Sequence, residues 1–292
     1  MMISTNVSIG NQAVGGMAPI YIIAEIGINH NGSLEIVKKL VDVAVQSGCN
    51  AVKFQKRTLE VVYTPEELAA PRESVYGTTN GDLKRGLEFD EAAYGEIDRY
   101  CKANHIDWFA SCWDEDSVDF IEKFDPPCYK IASASLTDDA LLMHHRKTGR
   151  PMILSTGMSD LPMIEHAVDV LNQKNLILLH CTSTYPSKLE ELNLSGIATL
   201  GKRFPTVPIG YSGHEPGLGT TLAAVAVGAC VIERHITLDR AMWGSDQAAS
   251  VEPQGIQRLV RDIRAVEAAL GDGHIRIYDS ERPIIDKLRR IG

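Results

Sequence analysis

Eight short apolar runs, each followed by an amphipathic stretch, recur along this chain of 292 residues. They cover 21–28, 51–55, 107–111, 129–132, 152–155, 176–181, 207–211 and 231–235. Few of their positions are charged, as in parallel strands covered on both faces. Parallel neighbours need a crossover connection, and the intervening segments have helical spacing. Ile36, Leu40, Val43 and Ala44 share one face, as do Ile256, Leu259, Val260, Ile263, Val266 and Leu270. Ser33 and Asp90 stand where helix starts are expected. Eight strand–helix units make a closed (β/α)8 barrel; an open doubly wound sheet is the alternative, but no Gly-x-Gly-x-x-Gly turn follows the first run. We therefore predict a single α/β domain, a TIM barrel over 18–270, with an N-terminal hairpin in 1–17 and a tail over 271–292. The hairpin is expected to run from Ile3 to Ile9 and turn through Gly10-Asn11. Residues 57–89 are long and polar, and are expected to form a loop over the site.

Charge narrows the partners. With 29 basic against 38 acidic residues the net charge is −9, which argues against a nucleic-acid or anionic-membrane surface. No run is long enough to span a membrane, and no basic region with an apolar core opens the chain, so a cytoplasmic protein is expected. The six cysteines lack CxxC spacing and read as reduced thiols rather than a zinc cluster or disulfide framework.

In an α/β barrel the chemistry sits at the C-terminal ends of the strands. His214 and His235 each follow an apolar run, one β/α unit apart. Two neutral imidazoles with a carboxylate and water suit a divalent transition metal with open positions. Lys53 and Lys130 sit inside apolar runs, where an unpaired ammonium is costly. They either form salt bridges inside the barrel, with Glu25 or Glu233, or hold a phosphate or carboxylate together with the hydroxyls of Ser133, Ser155, Ser183 and Ser212. His144, His145 and His180 read as structural or surface residues. No Gly-x-Ser-x-Gly elbow is present, so Ser/His/Asp hydrolysis is disfavoured.

Several segments, in order, resemble the sialic acid (N-acetylneuraminate) synthase family. They are the run from Ile23 to Gly32, Val52 to Gln55, Leu154 to Met158, His180 to Pro186, Gly210 to Glu215 and Glu233 to Asp239. The block from Tyr76 to Phe89 resembles the animal branch, whose members use a 6-phosphorylated sugar. The resemblance implies a metal-dependent condensation of phosphoenolpyruvate with an open-chain aldose, giving a 3-deoxy-2-ulosonic acid and phosphate. It implies that His214 and His235 hold a divalent ion, Mn²⁺ first, with Mg²⁺ or Co²⁺ as alternatives. Lys53, Lys130, Ser133, Ser155, Ser183 and Ser212 would hold phosphoenolpyruvate. Glu25, Gln55, Tyr185 and Asp246 would face the sugar, the metal or its waters, and a homodimer is expected.

The departures fall mainly on the sugar side. Ser135 stands at a sugar-facing position where the family usually has an acidic residue. Ser111-Cys112-Trp113-Asp114 replaces the Ser-Thr-Pro-Phe common among bacterial members, and Gln247 follows Asp246 where His is frequent. The chain stops near Arg290, where members usually continue into a small antifreeze-like domain, so the barrel alone is expected here. The acceptor is therefore expected to differ from plain N-acetylmannosamine, with the Lys84-Arg85 pair as a place for a phosphate at its far end. Two other readings stay open: a different barrel aldolase or ulosonate synthase, and a non-catalytic sugar-binding relative.

Overall fold

The computed structural model describes residues 6–291. Ile3 to Thr5 of the expected hairpin lie outside the described residues. The rest of that hairpin is present: β1 (Val7–Ile9) pairs antiparallel with β2 (Gln12–Val14) about Gly10-Asn11. Eight parallel strands then close into a barrel. They are β3 (Tyr21–Gly27) and β4 (Ala51–Lys56), then, after a short hairpin of β5 (Pro71–Ser74) and β6 (Gly77–Thr79), β7 (Asp107–Cys112), β8 (Tyr129–Ile131), β9 (Met152–Ser155), β10 (Leu176–Cys181), β11 (Ile209–Gly213) and β12 (Val231–His235). β12 pairs back onto β3 with His235 opposite Glu25, which closes the ring. The seventh strand begins two residues later than its apolar run, because Pro208 has no N–H to give to the ladder.

Helices cover the outside. Leu34–Ser47 (α1) starts where Ser33 accepts from the backbone of Ile36, and it ends at Gly48, whose φ of 82° is the left-handed conformation glycine adopts without strain. Asp90 caps the helix Glu91–Ala103 in the same way as Ser33, through the N–H of Ala93. The last long helix, Pro253–Leu270, buries Ile256, Leu259, Val260 and Ile263 as expected, while Leu270 is exposed.

The expected loop over 57–89 is instead a folded insertion. It holds the β5–β6 hairpin and the helices Leu59–Val62, Pro65–Ala69 and Asn80–Leu87. Two reciprocal caps organise it: Thr64 with Glu67 and Thr79 with Asp82 each satisfy two otherwise free backbone donors. Gly32 and Gly86 let this insertion close onto the end of β3. A Cβ at Gly32 would lie 2.2 Å from the Gly86 carbonyl, and one at Gly86 would strike the Tyr76 ring.

Strand parity decides what the barrel encloses. Tyr21, Ile23, Ala51, Phe109, Ile153, Ile177, Leu179 and Val231 form an inner apolar cluster, into which the hairpin inserts Val7, Ile9 and Val14. The alternate residues Ile22, Ala24, Val52, Phe54, Ala110 and Ile232 belong to the larger outer core under the helices. The hairpin plugs the N-terminal end of the barrel, where Gln12 and Tyr21 both donate to Asp107. Carried two residues further up each strand, the inward parity falls on Glu25, Lys53, Ser111, Lys130, Ser155 and Glu233. The barrel is dry at its base and charged at its mouth.

Candidate active site

The charged layer is one connected network. Lys53 Nζ is 2.9 Å from Glu25 Oε2 and 3.7 Å from Glu233 Oε2, and it donates to Ser111 Oγ at 2.9 Å. Lys130 Nζ donates to Ser155 Oγ at 2.6 Å and to the Ile131 carbonyl, with Glu233 Oε1 at 3.9 Å. Ser212 Oγ donates to that same Glu233 oxygen at 2.9 Å. The salt-bridge alternative is thus what the structure shows for both lysines. Glu233 is the shared counter-ion of both lysines.

Burial and the neighbouring charges pull the four ionisable groups of this layer in different directions. Burial disfavours charging Lys53, but the carboxylates of Glu233 and Glu25 outweigh it and hold its pKa above the ordinary value. Burial lowers that of Lys130, with Glu233 opposing. Burial also pushes Glu25 up to about 7, against the pull of Lys53. At Glu233 the two lysines win over burial and depress the pKa to about 2.

Above this layer lies a cavity of about 280 Å³. Glu25, Lys53, Gln55, Lys130, His214 and His235 line it, joined by Ser133, Ser155, Ser183, Tyr185 and Ser212. Two residues placed at the site from sequence do not reach that lining. Ser135 is buried within the short 3-10 turn Ser133–Ser135, where its backbone N donates to the Ala132 carbonyl. Asp246 is half-buried at the head of the turn 247–249 and accepts from Ser245 Oγ; its charge still favours protonation of His235 against burial. Six lining residues were not singled out as ligand contacts from sequence: Ser111, Trp113, Ala132, Ala134, Met158 and Glu233. Inward parity on β7 and β12 is the signal that would have found Ser111 and Glu233.

The two histidines stand side by side, ring centres 5.7 Å apart, with the Tyr185 ring 4.1 Å from His214 and 5.7 Å from His235. His214 Nδ1 meets the Thr182 carbonyl at 2.7 Å, so that nitrogen carries the proton and Nε2 keeps its lone pair. His235 Nδ1 is buried without a hydrogen-bond partner. Burial lowers both pKa values to about 4, so both rings are neutral at physiological pH. Neutral rings with an uncommitted nitrogen fit a divalent cation. Among the described residues no group of three or more His, Cys, Asp or Glu is gathered for a metal, so the protein's share of the ligands would be this pair. Of the histidines read as structural or surface residues, His180 and His145 meet backbone carbonyls, and His144 pairs with Asp119.

A closed eight-stranded barrel whose mouth combines buried lysines, hydroxyls and paired neutral imidazoles defines a (β/α)8 enzyme. Comparison with known proteins makes the class specific. The NeuB family profile matches residues 40–275, and the chain belongs to that family. It is an enzyme of the sialic acid synthase type. It is 40% identical over 279 residues to the N-acetylneuraminate-9-phosphate synthase of Homo sapiens, covering 94% of this chain and 78% of that protein. It is 38% identical over 283 residues to the N,N'-diacetyllegionaminic acid synthase of Campylobacter jejuni, covering 94% and 84%. The crystal structure of the N-acetylneuraminic acid synthetase of Leptospira borgpetersenii, solved in complex with citrate, superposes with a TM-score of 0.87 at 32% identity over 99% of both chains. Among the described residues no helix is long and apolar enough to cross a membrane.

Proposed function

We propose that this protein condenses phosphoenolpyruvate with the open-chain form of an N-acylmannosamine-like aldose, releasing phosphate and a 3-deoxy-2-ulosonic acid. The observation that carries this reading is the cavity floor, where two buried lysines and several serine hydroxyls converge beside a pair of neutral imidazoles. Lys53 and Lys130 offset the charge of the phosphate and carboxylate, and Ser133, Ser155, Ser183 and Ser212 supply neutral donors. A divalent ion held by His214 and His235 would supply Lewis-acid polarisation of the aldehyde oxygen. The enol carbon of phosphoenolpyruvate forms the new bond to the aldehyde carbon as the C=O π pair moves onto the aldehyde oxygen, leaving an alkoxide there and positive charge on C2 of phosphoenolpyruvate. Water adds to C2 and gives its proton to Glu25, whose raised pKa suits a base working near neutrality. The C2–O bond to phosphate then breaks as the C2 hydroxyl becomes the carbonyl and passes its proton to the departing phosphate; the proton held on Glu25 goes to the acceptor alkoxide, and the leaving dianion is met by both lysines. Gln55 and Tyr185 flank the acceptor, with Asp246 behind them.

The acceptor's far end has a candidate place of its own. A second cavity of about 380 Å³ opens between the 57–89 insertion and the loop after β12, lined in part by Asn31, Arg72, Glu73, Lys84, Trp243 and Ser245. Among the described residues neither Arg72 nor Lys84 forms an ion pair, whereas Arg85 turns away to Glu60 at 3.8 Å. Lys84 with Arg72, and not Lys84 with Arg85, is the pair that favours a phosphorylated acceptor. The test is phosphate release on mixing enzyme, phosphoenolpyruvate, Mn²⁺ and a panel of free and phosphorylated aldoses, with product masses measured. One phosphate per ulosonic acid is the expected result. Turnover without phosphoenolpyruvate would replace this reading with an aldolase, and a clear preference for unphosphorylated N-acetylmannosamine would overturn the acceptor assignment. We infer a homodimer for the functional unit, to be checked by light scattering.

A further inference from the structure

Arg57 lies two residues past Gln55, where β4 opens into the mouth. Its guanidinium carbon is 4.4 Å from the centre of the Trp113 ring, and Nη1 is 3.7 Å from Glu88 Oε1. Nη2 donates to Gln55 Oε1. The side chain is only 13% exposed, so the clamp is largely shielded from water. The loops that form it are tied together: the Trp113 N–H donates to the Lys56 carbonyl at 3.1 Å, and the Thr58 N–H donates to Asp114 at 2.7 Å. Arg57 does not line the cavity, whereas Gln55, Glu25 and Trp113 do.

A guanidinium can only donate hydrogen bonds. The Gln55 atom facing Arg57 must therefore be the amide oxygen, and the NH₂ group is turned the other way. There it donates to Glu25 Oε1 at 3.2 Å. Without the cation the amide could flip and set its oxygen against a carboxylate oxygen. We propose that Arg57 is a positioning residue: stacked on Trp113, it locks the Gln55 amide so that its NH₂ holds Glu25 in register above Lys53. The role rests on the condensation proposed above, because there Glu25 receives the proton of the attacking water.

The test compares Arg57→Met, Arg57→Lys, Gln55→Ala and the Arg57→Met/Gln55→Ala double variant in the full chain. Arg57→Met is expected to lower kcat by about tenfold or more while the calorimetric Kd for phosphoenolpyruvate stays within about twofold. Arg57→Lys, which keeps a donor, should recover most of the loss. In the Gln55→Ala background Arg57→Met should cost nothing further, since the residue acts through that amide. Additive losses, a weakening of phosphoenolpyruvate binding equal to the fall in kcat, or no rescue by lysine would each overturn the proposal. Arg57→Gln carries the same comparison if the methionine variant does not fold. If the unmodified enzyme turns over no acceptor, the condensation reading fails. The amide lock then stands or falls on NMR, where the Gln55 side-chain pair, identified by its loss in Gln55→Ala, must move in Arg57→Met.

Discussion

At the scale of single residues, the site depends on charges that burial makes costly and geometry makes tolerable. Lys53 faces two carboxylates within 4 Å, while Lys130 has one at 3.9 Å and otherwise leans on a hydroxyl and a carbonyl. Removing one partner of a buried pair leaves the other uncompensated, at about 3–5 kcal/mol. Lys53→Met should therefore lower stability by that order and Lys130→Met by less, as read by urea unfolding. In both variants the KM for phosphoenolpyruvate should rise by about 100-fold or more, with acceptor KM moved only a few-fold. Equal stability losses would show that Glu25 contributes little to holding Lys53.

At the scale of elements, the N-terminal hairpin and the 57–89 insertion cap opposite ends of the barrel for different reasons. The hairpin completes the inner apolar cluster: Ile9 is fully buried against a base that would otherwise open to water. Ile9→Ala should cost about 2–5 kcal/mol, as large-to-small changes in well-packed cores do. Because the charged layer lies at the other end, kcat should stay within about twofold of the parent enzyme below the unfolding transition. Stability from denaturant melts and steady-state rates on the same preparation check both halves. The insertion, by contrast, is organised by two capping boxes and close glycine contacts and supplies the second cavity at the mouth.

At the scale of the whole molecule, buried neutral histidines make stability fall in acid, and His30 and His145 are two of them. Burial holds His30 down to about 3 and His145 to about 4. In the unfolded chain both would titrate near 6.5. Between about 6.5 and 4 the unfolded state thus takes up protons that the native state refuses, and stability falls as pH falls, by up to about 1.4 kcal/mol per pH unit for each group. The urea midpoint should decline steadily across that window. His145→Leu, which removes a ring nitrogen that has no partner, should make the decline shallower. An unchanged slope would mean that His145 protonates without unfolding the chain.

Much of this was legible from residues alone, for identifiable reasons. Short, almost uncharged apolar runs separated by segments of helical spacing point to the number of strands and their class, because strands buried on both faces need apolar residues throughout while the covering helices need only one apolar stripe. Lysines inside such runs, and histidines at their ends, mark positions that need a partner or a ligand, because an unpaired buried charge is costly. What only the tertiary structure decided is which distant groups meet. Glu233 became the common counter-ion of Lys53 and Lys130 because barrel closure brings β12 beside β3, a register no local pattern encodes. Ser135 follows the lining residues Ser133 and Ala134 yet misses the cavity wall, and Asp246 misses it too; each lies in or at the head of a short turn. Arg57 was silent in the sequence for the same reason. Its partners Trp113 and Glu88 come from other segments, and only packing brings them around the guanidinium that meets the Gln55 amide.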